Sequence, residues 1–391
     1  MTFAVPSFVG RDVVCLAHSA RALVAAVARA GGRPHVIDAF GDVDATGFGG
    51  RVHAAADEAT WLPTLAGWPS HWPLLYGGAI ENRPALLAAA SRQRPIWGIL
   101  GMRLHRLRDP VALGRCLPDS VAMPERTPSR PAAAAAGEWL WKPHASGGGH
   151  AVTFASPDDP ATGSWHRFIA GRSRGLLFTA PPASEALRSL AVVQHHPRRG
   201  DRPFFVQDLT LAIGERPPTV ATCLANALTE CLRRLPDEGG LVGPLGVDVV
   251  EAPDGRTWVL ECNPRFTAGH ALWEWATGGS VFENRTPDAR ERADQTKRTG
   301  RQPWAGQRVA LAERSFAWPM NDAGLREAVE VAGCDLADRP HPGTLIATGE
   351  PICTLLTRAA SEAAVLAQLD DGEAVVSSSA SEGVTFGDTT G

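Results

Sequence analysis

The N-terminal third of the chain alternates apolar runs with an amphipathic segment in the order typical of a β-α-β unit. An apolar run from Asp12 leads into a helical segment that ends at the pair Gly31-Gly32, and a second apolar run follows. Two further apolar runs, at 73–78 and 95–100, flank another helical stretch. The pattern therefore predicts parallel strands in an open α/β domain.

The rest of the chain is patterned differently. Residues 123–138 contain three prolines and five consecutive alanines without apolar periodicity, which indicates a linker or loop. Strand-like segments then bracket a glycine cluster, and a helical pattern over 223–235 leads to a hairpin with its turn at Asp254-Gly255. We predict three parts, which are an N-terminal α/β domain at 1–110, a linker helix with a small lid at 111–172, and an α+β lobe at 173–391.

Composition narrows the class of protein. Hydrophobic residues make up 44% and charged residues 20%, which argues against disorder, and a net charge of -4 lacks the basic excess of a nucleic-acid binder. The seven cysteines include no CxxC pair, so neither a disulfide framework nor a zinc site is predicted. We find no signal peptide and no membrane span. We therefore expect a cytoplasmic protein without nucleic-acid or membrane partners.

Lysine is almost absent from this chain. The 38 basic residues comprise 36 arginines and two lysines, Lys142 and Lys297. Coding bias can replace most lysines of a chain by arginine. A lysine that remains therefore indicates a position where arginine would not serve equally well. Lys297 lies in a polar stretch typical of solvated surface, whereas Lys142 ends an apolar strand-like run. We therefore expect a specific role for Lys142.

A loop of small residues follows Lys142 and includes Ser146, Gly147, Gly148 and Gly149. Such a loop can close its backbone N–H groups over phosphates while the lysine ammonium meets a phosphate oxygen. This is not a Walker loop, because the lysine precedes the glycines, and the first β-α turn lacks the glycines of a dinucleotide fingerprint. A glycine-rich hairpin with an exposed lysine is the alternative interpretation.

A second cluster lies on the predicted hairpin. Glu261 and Asn263 project from the same side of one strand, because alternate residues share a face, and Asp248 on the partner strand can join them. Two carboxylates and an amide supply the hard oxygen ligands that Mg²⁺ prefers when it also takes nucleotide phosphates. Arg265 adds a cation beside them, and Cys262 alternates toward the core.

These two clusters, in this order and roughly 100 residues apart, resemble those of ATP-grasp enzymes. The Glu-x-Asn-Pro-Arg segment, joined to an upstream Gly-x-Asp strand, is the most specific part of the resemblance. The segments 76–84 and 341–344 are similar to the predicted carboligase branch of that superfamily. That branch is distantly similar to biotin carboxylase and is associated with the synthesis of one-carbon carrier cofactors such as tetrahydromethanopterin and methanofuran.

The resemblance implies an ATP-grasp fold with a Rossmann-like N-terminal domain, a small lid and a C-terminal lobe with the metal site. It implies ATP and Mg²⁺ as cofactors, with Mn²⁺ as the alternative metal. Arg106 or Arg108 stands where many members of the family have a second phosphate lysine. The implied residues are Lys142, Ser146, Gly147, Gly148, Gly149 and Arg108 for ATP; Asp248, Glu261 and Asn263 for the metal; Lys142 and Arg265 for catalysis; and Glu81, Asn82, Arg83, Thr267 and His270 for substrates.

The activity implied by the resemblance is ATP-dependent joining of a small carboxylate to an amine. The reaction passes through an acyl phosphate and releases ADP and phosphate, as a step of cofactor biosynthesis. A bicarbonate-using carboxylase and a nucleotide-binding module without turnover are the alternatives. The segment 165–171, where the family has an acid-bearing hinge, contains no carboxylate and leaves the contacts of adenine and ribose open. A homodimer through the C-terminal lobe is also open.

Overall fold

The computed structural model describes residues 6–132, 137–144, 149, 152–154, 162–180, 186–197, 207–235, 243–282 and 302–382. Within these ranges the strands form sheets of nine, four, three and two strands. None of the described helices is long and apolar enough to cross a membrane.

The four-stranded sheet belongs to the N-terminal part. Its strands are β1 (Asp12–Leu16), β2 (Arg33–Asp38), β3 (Val52–Ala54) and β4 (Leu74–Tyr76). They are parallel in the order β3-β2-β1-β4, and helix α1 (Arg21–Arg29) joins β1 to β2, which confirms the predicted β-α-β unit. The run at 95–100 is not a strand, because only Ile96 bridges to Leu74 and the chain then passes close under the ring of Tyr76.

Short helices surround this sheet and lead toward the rest of the molecule. They are α2 (Val43–Thr46), α3 (Trp61–Ala66), α4 (Pro84–Ser91), α5 (Gly101–Arg108) and α6 (Pro110–Gly114). The Asp109 carboxylate accepts a hydrogen bond from the backbone N–H of Ala112, so it ends α5 and caps α6 at the same corner. This corner directs the end of α5 toward the nine-stranded sheet.

The small three-stranded sheet follows in sequence. Strand β5 (Val121–Ala122) joins the edge of the nine-stranded sheet, and the small sheet then contains β6 (Arg126–Thr127), β7 (Trp139–Pro143) and β8 (Gly163–Arg167) in the order β6-β8-β7. Trp139, Trp141 and Trp165 form its own apolar cluster. The proline-rich stretch predicted as a linker therefore contributes β6 to this sheet.

The nine-stranded sheet has the order β16-β18-β14-β11-β10-β9-β12-β13-β5, and its neighbours are antiparallel except for β5 beside β13. The remaining strands are β9 (Arg172–Thr179), β10 (Arg188–Pro197), β11 (Gln207–Ala212), β12 (Leu245–Glu251), β13 (Thr257–Asn263), β14 (Trp304–Leu311), β15 (Phe316–Ala317), β16 (Cys334–Ala337), β17 (Leu345–Ile346) and β18 (Pro351–Ala359). The remaining helices are α7 (Thr219–Arg233), α8 (Ala268–Thr277), α9 (Ala323–Val331) and α10 (Glu362–Glu382). The predicted helix over 223–235 thus begins earlier, directly after Pro218.

The N-terminal sheet meets the nine-stranded sheet beside the end of β13. The buried hydroxyl of Tyr76 donates to the carbonyl of Ile99 at 2.6 Å and lies 3.3 Å from that of Pro264. The ring of Phe8 packs against that of Phe282, with 4.7 Å between centroids. These contacts fix the first part of the chain against the residues that follow the hairpin.

Two of the seven cysteines are paired. Cys116, after α6, and Cys231, on α7, form a disulfide across a sequence separation of 115. The other five are free, and four of those are buried. The prediction that no disulfide framework exists therefore needs correction at this one pair. Sequence spacing gave no sign of it, because the packing of α6 and α7 brings the two residues together.

Candidate active site

The hairpin of β12 and β13 places three oxygen-bearing side chains on one face. Asp248 pairs directly with Glu261 across the antiparallel strands, and Asn263 follows Glu261 by two residues. Asn263 Nδ2 lies 3.0 Å from Asp248 Oδ2 and 3.3 Å from Glu261 Oε1. Cys262 points the other way and is buried in the core. We call Asp248, Glu261 and Asn263 the oxygen cluster.

Lys142 reaches the oxygen cluster from the small sheet. It alternates with the buried tryptophans of β7, so its side chain leaves the opposite face of that sheet. Its Nζ lies 3.7 Å from Glu261 Oε2, and its side chain is 21% exposed. Gly149 has a φ of 78°, a left-handed conformation that suits glycine. Ser146, Gly147 and Gly148 lie outside the described residues, so their phosphate contacts stay predictions.

A second cation approaches from the end of α5. Arg108 donates from Nη1 to the carbonyl of Cys262 at 3.1 Å and to Asn263 Oδ1 at 3.4 Å, and from Nη2 to Asn82 Oδ1 at 2.8 Å. Of the two arginines considered in the sequence, Arg108 is the one with these contacts. Its guanidinium links Asn82 to the oxygen cluster.

Arg265 contacts the N-terminal part through Glu81. Its Nε donates to Glu81 Oε1 at 2.7 Å, and the Glu81 side chain is only 1% exposed. Ala79, with a left-handed φ of 71°, turns the chain from β4 into the short 3₁₀ helix that contains Glu81. The second oxygen, Glu81 Oε2, is buried without a hydrogen-bond partner among the described residues. A buried acceptor of this kind is costly unless a bound molecule supplies a donor.

The other predicted substrate residues are placed differently. Arg83 donates to both oxygens of Glu58 at 2.9 and 3.0 Å, so the structure does not bring it to the oxygen cluster. Thr267 and His270 form a capping box at the start of α8. His270 is fully buried, and its ring nitrogens contact Thr267 and the carbonyl of Phe178 at 2.8 and 3.1 Å. His270 therefore stabilises the start of α8 in this structure, and its role as a substrate contact stays a prediction.

The two carboxylates of the oxygen cluster differ in acidity. Burial, together with the facing charge of Glu261, raises the pKa of Asp248. Burial acts in the same direction on Glu261, but the charges of Lys142 and Arg108 outweigh it and lower the pKa of Glu261. One carboxyl of the facing pair is therefore ionised far more readily than the other.

A cavity of about 300 Å³ opens beside the oxygen cluster, between the small and the nine-stranded sheets. Lys142, Arg108, Arg126 and Glu261 line it, together with His166. Burial and the neighbouring cations lower the pKa of His166 to about 3, so its ring is neutral. The sequence interpretation missed Arg126, because only the pairing of β6 with β8 brings the proline-rich stretch to the site.

Comparison with known proteins decides which kind of domain contains this cavity. A family model described as an ATP-grasp domain matches residues 108–269, a segment that includes Lys142, the oxygen cluster and Arg265. Residues 108–269 are an ATP-grasp domain. Among curated protein sequences, none matches this chain.

Solved structures extend the likeness beyond the ATP-grasp domain. An N5-carboxyaminoimidazole synthetase from Staphylococcus aureus complexed with ADP is 12% identical, covers 96% of this chain and 100% of its own, and has a TM-score of 0.65. An N5-carboxyaminoimidazole synthase from Aspergillus clavatus, in complex with ADP and 5-aminoimidazole ribonucleotide, is 13% identical, with coverages of 93% and 99% and a TM-score of 0.62. An L-amino acid ligase from Bacillus licheniformis is 14% identical, with coverages of 93% and 98% and a TM-score of 0.61. The predicted ATP-grasp fold is confirmed.

Proposed function

We propose that this ATP-grasp protein is an ADP-forming ligase that joins a carboxylate to an amine through an acyl phosphate. The observation that supports this most is the convergence of Lys142 and Arg108 on the oxygen cluster, with Arg265 two residues beyond Asn263. Phosphoryl transfer from ATP is catalysed mainly by positioning and charge neutralisation. A site with cations on one side and oxygen ligands on the other suits that task.

ATP binds in the cavity beside Lys142 in this proposal. The ammonium of Lys142 and the guanidinium of Arg108 contact phosphate oxygens, and the loop from Ser146 to Gly149 closes over them. Arg126 adds a third cation to the cavity wall, while the neutral ring of His166 leaves room for uncharged parts of the nucleotide. Charge-assisted hydrogen bonds of this kind are the strong ones in proteins.

The oxygen cluster fits Mg²⁺, with Mn²⁺ as the alternative. Asp248 and Glu261 supply hard carboxylate oxygens, and the amide of Asn263 contacts both through Nδ2, so its oxygen would face a metal after rotation of the amide. Among the described residues, no group of three or more His, Cys, Asp and Glu side chains could hold a metal ion. The amide of Asn263 and the ATP phosphates would add to the two carboxylates as ligands. When bound, the metal neutralises phosphate charge, and Asp248 and Glu261 can then ionise together.

The reaction takes two steps. An oxygen of the substrate carboxylate attacks the γ-phosphorus of ATP, and the bond from that phosphorus to the oxygen of the ADP leaving group breaks. The amine nitrogen then attacks the acyl carbon, phosphate leaves with the oxygen that joined it to that carbon, and the nitrogen loses a proton. Arg265 stabilises the charge of the transferred phosphoryl group with its planar guanidinium. No nucleophilic side chain is required, which agrees with the burial of Cys262.

The substrates bind next to Glu81, Asn82 and Thr267 in this proposal. The unpartnered Oε2 of Glu81 accepts an N–H or O–H group of a bound substrate. A step in the synthesis of a one-carbon carrier cofactor and a cytoplasmic location complete the proposal. The biosynthetic step rests on the resemblance of the segments 76–84 and 341–344 to the carboligase branch. The cytoplasmic location rests on the scattered spacing of the cysteines.

ADP release tests the proposed reaction. Wild-type protein with ATP and Mg²⁺ is given a panel of carboxylates, each with and without an amine, and separately bicarbonate. We expect release that depends on one carboxylate, and a loss of roughly 100-fold or more in Lys142→Ala and Glu261→Ala. Release that requires bicarbonate would identify a carboxylase instead. Nucleotide binding without any ADP release would identify a module without turnover.

A further inference from the structure

A second cavity, of about 350 Å³, lies between the N-terminal sheet, α8 and the C-terminal strands. Arg265 and Thr267 form part of its wall, so it adjoins the proposed site of phosphoryl transfer. Phe40, Phe266 and Ile346 give another part of the wall an apolar surface. The cavity is therefore large enough and apolar enough to hold the body of a small organic molecule.

Asp42 and Asp338 line one end of this cavity, and the charges of Asp38 and Asp44 act on Asp42 from behind the wall. Three of these four carboxylates have partners. Asp338 accepts two hydrogen bonds from the guanidinium of Arg21, at 2.9 and 3.1 Å. Asp44 accepts from two backbone N–H groups, both at 2.9 Å. Asp38 also accepts from two backbone N–H groups, at 3.2 and 2.6 Å. These contacts build a rigid acidic corner.

The fourth carboxylate, Asp42, has no such partner. It lines the cavity and is 6% exposed, yet no described residue makes a hydrogen bond or ion pair with its carboxylate. Burial and the charges of Asp338, Asp38 and Asp44 raise the pKa of Asp42 to about 8, although Arg21 opposes the shift. A buried carboxylate that faces a cavity without a partner is stabilised by a cation from that cavity.

The cations of the cavity wall are already paired. Arg21 is bound to Asp338, and Arg265 is bound to Glu81. Arg265 contacts both Glu81 and the transferred phosphoryl group in the proposed reaction, so the described wall leaves no further cation for a phosphate group on the substrate, while Asp42 remains for a positive charge. The charge of the cavity favours a cationic ligand over a phosphorylated one.

We propose that this cavity binds the amine substrate as a primary amine with an apolar body, and that Asp42 pairs with a positively charged nitrogen of that substrate. The assignment rests on the proposed ligase function. The ammonium and the carboxylate form a charge-assisted hydrogen bond, and the aromatic wall holds the apolar body. Asp42 acts here as a binding residue that selects the substrate.

Equilibrium titration of the full chain in the absence of ATP tests the assignment. The probes are benzylamine, its neutral analogue benzyl alcohol, and ribose 5-phosphate. We expect wild type to bind benzylamine at least roughly tenfold more tightly than benzyl alcohol, and Asp42→Asn to lose that preference. Asp119→Asn, which neutralises an exposed acid elsewhere, keeps the preference. Equal binding of amine and alcohol by wild type, or tighter binding of ribose 5-phosphate, would overturn the proposal.

The two proposals fail separately. If wild type releases ADP with a carboxylate but Asp42→Asn binds benzylamine as tightly as wild type does, the amine site is wrong and the ligase proposal stands. If benzylamine binding depends on Asp42 while no carboxylate supports ADP release, the cavity is an amine site and the ligase reaction is wrong. Thermal unfolding of Asp42→Asn shows whether the variant is folded in either case.

Discussion

At the scale of single residues, Lys142 connects the composition of the chain to its chemistry. Its Nζ lies 3.7 Å from Glu261 Oε2, at the edge of a cavity lined by two arginines as well. Lysine presents a compact point charge on a flexible stem, whereas arginine presents a planar fork with fixed donor directions. In a chain with two lysines, this is a position where the difference between them matters.

Replacement of Lys142 by arginine tests this argument. We expect Lys142→Arg to reduce ATP turnover by about tenfold or more, because the fork does not reproduce the contacts of the ammonium. Lys297→Arg, the same change at the other lysine, leaves turnover unchanged. The measurement is the rate of ADP release at saturating ATP. Near-normal turnover by Lys142→Arg would show that lysine scarcity carried no functional information.

Asp42 leads to a prediction about stability and pH. Between pH 4 and 8 the folded protein binds a proton at Asp42 that the unfolded chain, with its ordinary pKa near 3.8, does not bind. The stability of wild type therefore falls as pH rises through this range, and Asp42→Asn removes that loss. We expect the unfolding midpoint of Asp42→Asn to exceed that of wild type by about 2 °C or more at pH 8, and the two midpoints to converge near pH 4. A difference independent of pH would contradict the account.

Strand alternation explains which site residues could be predicted. Asp248, Glu261 and Asn263 follow from the two-residue period of a hairpin, so the sequence alone could bring them together. His270 and Arg83 could not be judged in that way. His270 is part of a capping box, and Arg83 forms an ion pair with Glu58. Both contacts depend on neighbours that only the fold brings together.

At the scale of elements, the junction between the small sheet and the nine-stranded sheet controls how Lys142 meets the oxygen cluster. Strand β8 continues into β9 through Gly171, where a Cβ atom would clash with the backbone oxygen of Glu251. The pattern of apolar residues located both strands, but it could not show this close approach of two backbones. The same limit applies at Gly98, which lies against the ring of Tyr76 where a strand had been predicted.

Substitution of this glycine tests the junction. We expect Gly171→Ala to destabilise the fold by about 2 kcal/mol and to weaken ATP binding, because the added methyl group displaces β9 from β12. Gly243→Ala is the matched control. The backbone of Gly243 does not have a positive φ, and an added Cβ there would have no atom within 4 Å. Thermal unfolding and nucleotide titration of both variants provide the measurement. Equal effects of the two substitutions would contradict the argument.

At the scale of the whole molecule, the site forms where separate sheets meet. Lys142 comes from the small sheet, the oxygen cluster from the nine-stranded sheet, and Glu81 from the chain after β4. Local patterns predicted the elements, but not the contacts between residues nearly 200 positions apart in sequence. The resemblance to ATP-grasp enzymes supplied that arrangement. The resemblance did not predict a role for Asp42, because Asp42 belongs to no sequence motif. Its position in the wall of the second cavity is visible only in the structure.

Nucleotide binding gives a prediction for the entire fold. A ligand that binds only the folded state at about 100 times its Kd stabilises that state by about 2.7 kcal/mol. We expect ADP with Mg²⁺ to raise the unfolding midpoint of wild type. In Glu261→Ala we expect ADP to act equally with and without Mg²⁺, because the metal has lost a ligand. If Mg²⁺ with ADP raised the unfolding midpoint of Glu261→Ala as much as that of wild type, the metal would have to bind elsewhere.

Trapping of the acyl phosphate tests the central claim most directly. Wild-type protein is incubated with ATP, Mg²⁺, hydroxylamine and each member of a carboxylate panel in turn. The account predicts a hydroxamate from one acid, formed in step with ADP, and no hydroxamate from Lys142→Ala under the same conditions. ADP release stimulated by a carboxylate but without any hydroxamate would contradict it.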